Sequence, residues 1–239
     1  MTGIIDIHAH VLPGMDDGAE HLEEALQMLQ MAYGQGVRKV IATPHYQKGE
    51  YQYSLQEAKE AFRTLKEAAQ EKLPDMSLYL GQEIYYFSDL TEELTDGRAL
   101  TLAGSRFVLV EFSTEVSWSY LYQAVRKLSQ AGYLPIIAHV ERYPTLRQAG
   151  RLKELKEAGA RLQMNFRSLQ GSILNQRTRW CRNVVLEGSI HYLATDMHNT
   201  DSRRPEIDKT AEWLLKKGGM RLLRKLTEKN QEEILNIYK

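Results

Sequence analysis

Short β-rich segments alternate with longer helical segments along the whole chain, and this alternation restricts the fold more than any other feature of the sequence. Apolar residues recur at helical spacing over residues 20–36, and glycines at 132 and 159 end later helices just before a strand begins. About seven βα units in succession predict a parallel sheet or barrel of the α/β class. The strand candidates are residues 4–8, 37–43, 77–81, 107–112, 134–139, 161–165 and 191–196.

The 239 residues are expected to form one domain. No linker rich in Pro, Gly or Ser separates the βα units, and residues 205–239 contain no clear strand. That last segment is predicted to form two or three helices that close the structure. We therefore expect a single α/β domain over residues 1–239.

Composition and charge exclude several classes of function. Hydrophobic residues (43%) and charged residues (26%) occur at ordinary globular frequencies, which argues against disorder. The 31 basic residues equal the 31 acidic ones, so the chain has no overall preference for nucleic acid or an anionic membrane. No apolar segment is long enough to span a membrane, and the single Cys181 cannot form an intramolecular disulfide. These observations predict a cytoplasmic protein with no membrane insertion.

Residues able to bind metal ions stand at the carboxyl ends of the predicted strands. The first strand leads into His8 and His10, whose spacing of two places both imidazoles on one face of an extended segment. Asp196 and His198 repeat this spacing after the last strand. Strand ends form the active face of α/β barrels, so these side chains are expected to meet. Further candidates at or shortly after strand ends are Asp17, His45, Glu83, Glu111 and His139.

This set of side chains predicts a metal cluster. A single histidine at a strand end is more often a hydrogen-bonded surface residue than a ligand, but five of the seven histidines and four carboxylates follow this pattern together. Imidazoles and carboxylates without a thiolate suit Mn²⁺, Fe²⁺ or Zn²⁺. Nine ligands exceed the needs of one ion, so we predict two or three divalent ions.

Two arginines near the candidate ligands predict an anionic substrate. Arg142, three residues after His139, and Arg203, five residues after His198, are expected on loops of the same face. Three divalent ions, four carboxylates and a bridging hydroxide would leave the cluster net positive. Because guanidinium groups bind phosphate through paired hydrogen bonds, a phosphate monoester is the expected substrate. The alternative for either arginine is a surface salt bridge.

These motifs together resemble the polymerase and histidinol phosphatase (PHP) superfamily, and within it the bacterial manganese-dependent protein-tyrosine phosphatases of the CpsB/CapC type. The resemblance covers nearly the whole chain, in order and at similar spacing. It is carried by residues 5–10 (IDIHAH), 16–18 (DDG), 42–45 (ATPH), 82–84 (QEI), 109–112 (LVEF), 138–143 (AHVERY) and 196–199 (DMHN).

The resemblance implies a distorted, TIM-like (β/α)7 barrel with three Mn²⁺ ions at the carboxyl ends of the strands. It implies that Arg142 and Arg203 hold the substrate phosphate. The implied substrate is phosphotyrosine on the tail of a cognate bacterial tyrosine autokinase of capsule or exopolysaccharide synthesis. The implied ligands are His8, His10, Glu83 and Asp196 for the first ion, Glu83, Glu111 and His139 for the second, and Asp17, His45 and His198 for the third.

Other functions remain open at this point. Hydrolysis of histidinol phosphate or another small phosphomonoester would use the same chemistry, whereas a non-enzymatic module that binds a kinase tail represents a different class. A cysteine-based phosphatase mechanism is excluded, because the residue six positions after Cys181 is Glu187 and not the required arginine. Cys181 is therefore expected to be a packed residue of a helix.

Several neighbouring residues have two possible roles. Tyr46, Tyr51 and Tyr53 follow His45 and form either a wall that contacts a peptide substrate or ordinary loop packing. Phe166 and Arg167 are bulkier than the residues often found there in the family; they either narrow the mouth of the site or add an anion contact. His21 and His191 fall outside the matched motifs and are expected to be structural.

Overall fold

The computed structural model describes residues 3–51 and 53–235, in which all strand pairs are parallel. The strands are β1 (Ile4–Ala9), β2 (Val37–Ala42), β3 (His45–Tyr46), β4 (Ser77–Leu80), β5 (Glu83–Tyr85), β6 (Phe107–Glu111), β7 (Leu134–Ile137), β8 (Arg161–Asn165) and β9 (Tyr192–Ala194). They form a three-stranded sheet in the order β1-β2-β4 and a six-stranded sheet in the order β3-β5-β6-β7-β8-β9. The predicted α/β class with parallel strands is confirmed.

Helices occupy the predicted intervals between strands. They are α1 (Leu22–Gly34), α2 (Leu55–Lys72), α3 (Leu90–Thr95), α4 (Trp118–Gln130), α5 (Arg151–Glu157), α6 (Gln176–Leu186), α7 (Asp208–Arg224) and α8 (Asn230–Leu235). A π-helical segment, Lys225–Lys229, joins α7 to α8, which matches the prediction for the end of the chain up to residue 235. The part of this prediction that covers residues 236–239 lies outside the described residues. Within residues 3–51 and 53–235, no helix combines the length and apolar character needed to cross a membrane.

Two predicted strands, residues 37–43 and 77–81, are each followed after a short break by a further strand that was not predicted and that pairs in the other sheet. Residues 43–44 separate β2 from β3, and residues 81–82 separate β4 from β5. Gly81 is required at its break because a Cβ there would lie 2.8 Å from Leu102 Cδ2 and 3.1 Å from Leu102 Cα. The interruptions explain why the structure has nine strands where the sequence predicted seven, and they place His45 and Glu83 at the starts of the displaced segments.

Side chains alternate along the strands between two hydrophobic clusters. The smaller cluster takes Ile5 and Ile7 from β1, and it takes every second residue of several other strands: Phe107, Leu109, Ile136, Tyr192 and Ala194. The larger cluster takes the intervening residues, such as Val108, Val110 and Leu193, together with the apolar faces of the helices. This period of two shows that the sheet curls around the smaller cluster while the helices cover its outside.

The last strand meets the first at the carboxyl ends. The backbone N–H of Asp196 donates to the carbonyl of His8 at 2.9 Å, and the N–H of His10 donates to the carbonyl of Met197 at 2.9 Å. Ala9 and Met197 form a parallel bridge between these segments. Residues almost 190 positions apart thereby reach the same end of the curled sheet.

Candidate metal centre

The nine predicted ligand residues lie together at one end of the curled sheet. His139 and Asp196 reach the centre through left-handed backbone conformations, with φ of 32° and 52°. Ala103 is the other non-glycine residue with positive φ in the described part of the chain. Such conformations are uncommon without glycine and concentrate at functional sites.

His8 and His10 direct nitrogen lone pairs at one point. Nδ1 of His10 lies 2.7 Å from Oδ2 of Asp16, and Nδ1 of His8 lies 3.3 Å from Oε1 of Gln163. Each Nδ1 faces an oxygen acceptor, so in its neutral form each ring carries its proton there. The two Nε2 atoms are left 3.1 Å apart with lone pairs facing each other, a repulsive arrangement that a cation between them would relieve.

Two carboxylates complete a first group around this point. Oε2 of Glu83 lies 3.0 Å from His8 Nε2 and 3.1 Å from His10 Nε2, and Oδ1 of Asp196 lies 3.5 and 3.6 Å from the same two atoms. Ligands 2.0–2.1 Å from a tetrahedral ion are separated by about 3.4 Å, so these spacings suit a common ion. The four residues are buried and their ligand atoms lie within 4.8 Å of one another.

A second group lies around Glu83 and Glu111. Nε2 of His139 is 2.8 Å from Glu83 Oε1 and 3.4 Å from Glu111 Oε2. Nδ1 of His45 is 3.3 Å from Glu83 Oε2 and 3.0 Å from Glu111 Oε1. His45 therefore belongs to two groups: its Nδ1 faces these carboxylates, and its Nε2 faces Asp17 of the third group.

The third group consists of Asp17, His45, His198 and His10. Oδ1 of Asp17 is 3.5 Å from His45 Nε2 and 3.3 Å from His198 Nε2. Nδ1 of His198 lies 3.0 Å from the carbonyl oxygen of Asp196, so in the neutral ring the lone pair of Nε2 faces Asp17. The His10 and His198 rings stack with centroids 3.7 Å apart.

The donor atoms of these groups fit divalent cations. His45 Nδ1, Glu83 Oε2 and His198 Nε2 are buried and have no hydrogen-bond partner in the described structure. Buried polar atoms without partners are costly. Each of these three atoms nevertheless lies 3.0–3.3 Å from a nitrogen or oxygen atom of another candidate ligand. Their arrangement suits atoms that converge on cations between them.

The electrostatics of the cluster keeps the carboxylates charged. Burial raises the pKa of Glu83, but the imidazoles of His8 and His45 outweigh this effect and hold the pKa well below its ordinary value. Burial and the neighbouring His10 lower the pKa of His198 to about 4, so this imidazole is neutral near pH 7. Although burial opposes it, Asp16 and Glu83 raise the pKa of His10, and a cation that takes its lone pair would release that proton.

Arg142 and Arg203 both reach the same carboxylate at the edge of the cluster. Arg142 Nη2 donates to Asp196 Oδ2 at 2.5 Å, and Arg203 Nη2 donates to Asp196 Oδ1 at 3.3 Å. Arg203 Nη1 also donates to Asp17 Oδ2 at 3.2 Å. The two side chains are 32% and 30% exposed, so part of each remains accessible from solvent.

Three residues with buried side chains that contact the candidate ligands were not among the sequence predictions. Asp16 accepts hydrogen bonds from the His10 ring at 2.7 Å and from the His45 backbone N–H at 2.8 Å. Gln163 and Asn165 on β8 contact His8 and Asp196 respectively. The Asp-Asp-Gly motif contains Asp16, but the sequence analysis assigned only Asp17 to the ions, and no motif marked the two amides.

Of the three tyrosines that follow His45, one lies beside the cluster and two pack within the loop. The ring of Tyr51 stacks on His45 with centroids 5.2 Å apart and planes 11° from parallel. Tyr53 donates to the His45 carbonyl at 2.6 Å, and Tyr46 donates to Glu93 at 3.0 Å. Tyr51 therefore lies beside the cluster, whereas Tyr46 and Tyr53 fix the loop.

The other residues that the sequence analysis singled out make structural contacts. Phe166 is 1% exposed and so does not narrow the mouth, and Arg167 donates to the carbonyls of Ser202 and Arg204. Cys181 is buried in α6, as predicted. His191 accepts a hydrogen bond from the Leu162 backbone N–H at 3.1 Å.

A parallel α/β fold with this centre at its strand ends defines a metal-dependent class of enzyme. The chain belongs to the CpsB/CapC family of capsular polysaccharide synthesis, whose model matches residues 4–236. It is 32% identical over 238 residues to tyrosine-protein phosphatase CpsB of Streptococcus agalactiae serotype III (strain NEM316), covering 97% of this chain and 98% of that relative. It is 34% identical over 234 residues to tyrosine-protein phosphatase YwqE of Bacillus subtilis (strain 168), covering 97% and 91%.

A solved structure agrees with this assignment. A chain from the crystal structures of YwqE from Bacillus subtilis and CpsB from Streptococcus pneumoniae, described as unique metal-dependent tyrosine phosphatases, superposes with a TM-score of 0.89. The two chains are 32% identical, and the match covers 98% of this chain and 95% of the other. The predicted family is therefore confirmed.

Proposed function

We propose that this protein is a metal-dependent protein-tyrosine phosphatase that hydrolyses phosphotyrosine by attack of an activated water on phosphorus. One observation carries the proposal: two solvent-accessible arginines meet the edge of a nine-residue ligand cluster at Asp196. The names of its relatives support the same activity. The reaction is that of a phosphoric monoester hydrolase.

The ligand groups support three divalent ions, with Mn²⁺ as the proposed metal and Fe²⁺ or Zn²⁺ compatible with the same donors. Bound ions would supply a water of lowered pKa and would neutralise charge on the phosphoryl oxygens. The proposed ligands are His8, His10, Glu83 and Asp196 for the first, Glu83, Glu111 and His139 for the second, and Asp17, His45 and His198 for the third.

The arginines bind and orient the phosphate in this mechanism. Arg142 and Arg203 approach Asp196 from its two oxygens, so the carboxylate holds both guanidinium groups beside the cluster. Each group has further N–H donors that can bind non-bridging phosphate oxygens. Preorganised donors of this kind stabilise charge as it redistributes during phosphoryl transfer.

A phenolate is a better leaving group than an alkoxide, so phosphotyrosine needs less help from a protonating residue than an alkyl phosphate. The ring of Tyr51, stacked on His45, offers an aromatic surface beside the cluster for the phosphotyrosyl ring. The proposed substrate is a tail of a cognate bacterial tyrosine autokinase of capsule or exopolysaccharide synthesis. We also propose a cytoplasmic location, for which the buried free thiol of Cys181 is the supporting observation.

The curled sheet further supports a distorted (β/α)7 barrel of the PHP type, formed by residues 1–239 as one domain. The cluster enclosed by the strands and the hydrogen bonds between β1 and the segment after β9 are the features expected of such a barrel. Counting each interrupted strand once gives the seven βα units.

The test removes bound metal from the protein with a chelator, restores Mn²⁺, and compares the turnover of a phosphotyrosine peptide with that of histidinol phosphate. We expect peptide hydrolysis that His10→Ala and Arg203→Ala abolish and that Cys181→Ser leaves intact. Preference for histidinol phosphate would overturn the substrate but retain the chemistry. Bound metal without turnover of either compound would favour a non-enzymatic module that binds a kinase tail.

A further inference from the structure

We propose that Gln163 and Asn165 are positioning residues that set the tautomer of His8 and the orientation of Asp196. Both lie on β8, two positions apart and therefore on the same face of the strand. Gln163 is 0% exposed and Asn165 is 3% exposed. The inference rests on the proposed metal ligands, and it adds two uncharged residues that contact those ligands without binding an ion.

One backbone group fixes the direction of the whole chain of hydrogen bonds. The N–H of His139 can only donate, and it lies 2.6 Å from the Gln163 side chain, so the atom that it meets must be the carbonyl oxygen Oε1. The Gln163 NH₂ group is then directed at Asn165 Oδ1, at 2.8 Å. This leaves the Asn165 NH₂ group to donate to Asp196 Oδ2 at 2.7 Å.

The fixed direction determines how His8 presents itself to an ion. Nδ1 of His8 lies 3.3 Å from the same Gln163 oxygen, and an oxygen that accepts from His139 also accepts the His8 proton. The proton of a neutral His8 is therefore held on Nδ1, and the Nε2 lone pair is held toward Glu83 and Asp196. A ring with the opposite tautomer would point a proton at the ion.

The same chain leaves one oxygen of Asp196 directed at the cluster. Oδ2 accepts from Asn165 and from Arg142, so it already has two donors. Oδ1 faces the Nε2 atoms of His8 and His10. Asn165 and Arg142 thus prevent the carboxylate from rotating away, while Gln163 prevents Asn165 from turning its amide around.

Two amides suit this place because each accepts at one end and donates at the other. A fully connected buried network of this type orders its members, whereas a broken one leaves unpaired groups. An apolar residue at 163 removes the acceptor for both His8 and the His139 N–H. A glutamate there keeps that acceptor but faces Asn165 Oδ1 with a second oxygen, so it breaks only the link to Asn165.

The experiment measures Mn²⁺ affinity by competition with a chelator, together with the thermal midpoint of the metal-free protein. Loss of a group that orients a ligand costs about 10- to 100-fold in metal affinity, and we expect this for Gln163→Met and for Asn165→Ala. Gln163→Glu should bind Mn²⁺ more tightly than Gln163→Met, because it retains the His8 acceptor. The double variant Gln163→Met/Asn165→Ala should lose less Mn²⁺ affinity than the product of the two single losses, because one broken hydrogen bond already releases the others in the network.

Gln231→Met is the matched control, since Gln231 is also fully buried but donates to the Leu226 carbonyl, which is not among the ligand residues. We expect it to lower the thermal midpoint and leave Mn²⁺ affinity unchanged. Wild-type affinity in folded Gln163→Met and Asn165→Ala would overturn the inference and leave the proposed function standing. Failure of the wild-type protein to bind Mn²⁺ or Zn²⁺ would overturn the proposed metal centre and this inference together.

Discussion

Arg142 and Asp196 form an ion pair at 2.5 Å, in which a candidate phosphate-binding arginine contacts the carboxylate of a candidate metal ligand. The Asp196 side chain is 3% exposed, whereas that of Arg142 is 32% exposed. Burial raises the pKa of Asp196, but His8 and Arg142 outweigh this effect and lower it. The pair therefore connects the proposed substrate pocket to the proposed ions through a single residue.

Replacing Arg142 by lysine tests the paired hydrogen bonds of the guanidinium group. Lysine keeps the charge but cannot bind two phosphate oxygens side by side, so we expect kcat/KM for a phosphotyrosine peptide to fall about 100-fold. Metal content should not change, because the lysine ammonium group still pairs with Asp196. Arg224→Lys, which alters an arginine paired with Glu228 on the C-terminal helices, is the control. Wild-type kcat/KM in Arg142→Lys would remove Arg142 from the substrate pocket.

Arg167 is expected to act on the substrate through Arg203. Its guanidinium donates to the carbonyls of Ser202 at 3.2 Å and Arg204 at 3.1 Å, on either side of Arg203. Arg167→Met should loosen this loop, raising KM for the peptide several-fold with little change in metal affinity. Arg182→Met is a matched control, because Arg182 makes the same kind of bonds to the carbonyls of Leu169 and Gly171. An equal effect of both variants would contradict the assignment.

Removing metal ions should destabilise the protein, because the converging lone pairs and carboxylates would lose their cations. At a free ion concentration about 100 times Kd, binding stabilises a protein by about 2.7 kcal/mol. For a chain of this size we expect chelation to lower Tm by about 5–10 °C, measured by thermal unfolding. His10→Ala should reduce the shift, and His21→Ala, at a side chain 72% exposed, should retain it. Equal Tm values with and without Mn²⁺ would argue against the centre.

His191 is expected to make stability depend on pH away from the metal centre. Burial, aided by Arg161 and Lys156, lowers its pKa to about 4. The unfolded chain, with a histidine pKa of about 6.5, binds this proton more readily than the native protein. The free energy of unfolding should therefore fall by about 1–3 kcal/mol as pH decreases from about 6.5 to about 4.

The variant His191→Gln checks this prediction, since an amide oxygen can still accept from the Leu162 N–H. Denaturant unfolding of metal-free protein at several pH values should show a smaller loss of stability in the variant than in the wild type. His21→Gln should behave as the wild type does. Parallel pH profiles for the wild type and His191→Gln would refute the role of His191.

The sequence identified the candidate ligand residues that the fold brings together more completely than the residues that contact them. His8 and His10 follow from a spacing of two in an extended segment, and strand ends share one edge of a parallel sheet. Gln163 and Asn165 have the same spacing of two at the end of β8, but they are amides and were not counted as candidate ligands. Their roles depend on the side chains opposite them, which only the folded structure brings near.

The two strand interruptions were likewise not predicted. Residues 37–46 and 77–85 each contain β-rich segments on both sides of a short break, and periodicity alone does not show that the halves pair in different sheets. Gly81 is explained by its close approach to Leu102, a contact between distant segments. Asp16 and Asp17 are adjacent in the sequence, and the backbone turn determined which of them faces His10.

The junction of β1 with the segment after β9 sets a limit on when the protein can become active during its synthesis. His8 and His10 are translated before Asp196 and His198, which emerge from the ribosome almost 190 residues later. A nascent chain that stops before residue 196 lacks Asp196 and His198 of the candidate ligand set, and it also lacks Arg203. Completion of the proposed metal centre therefore requires a chain whose translation has passed His198.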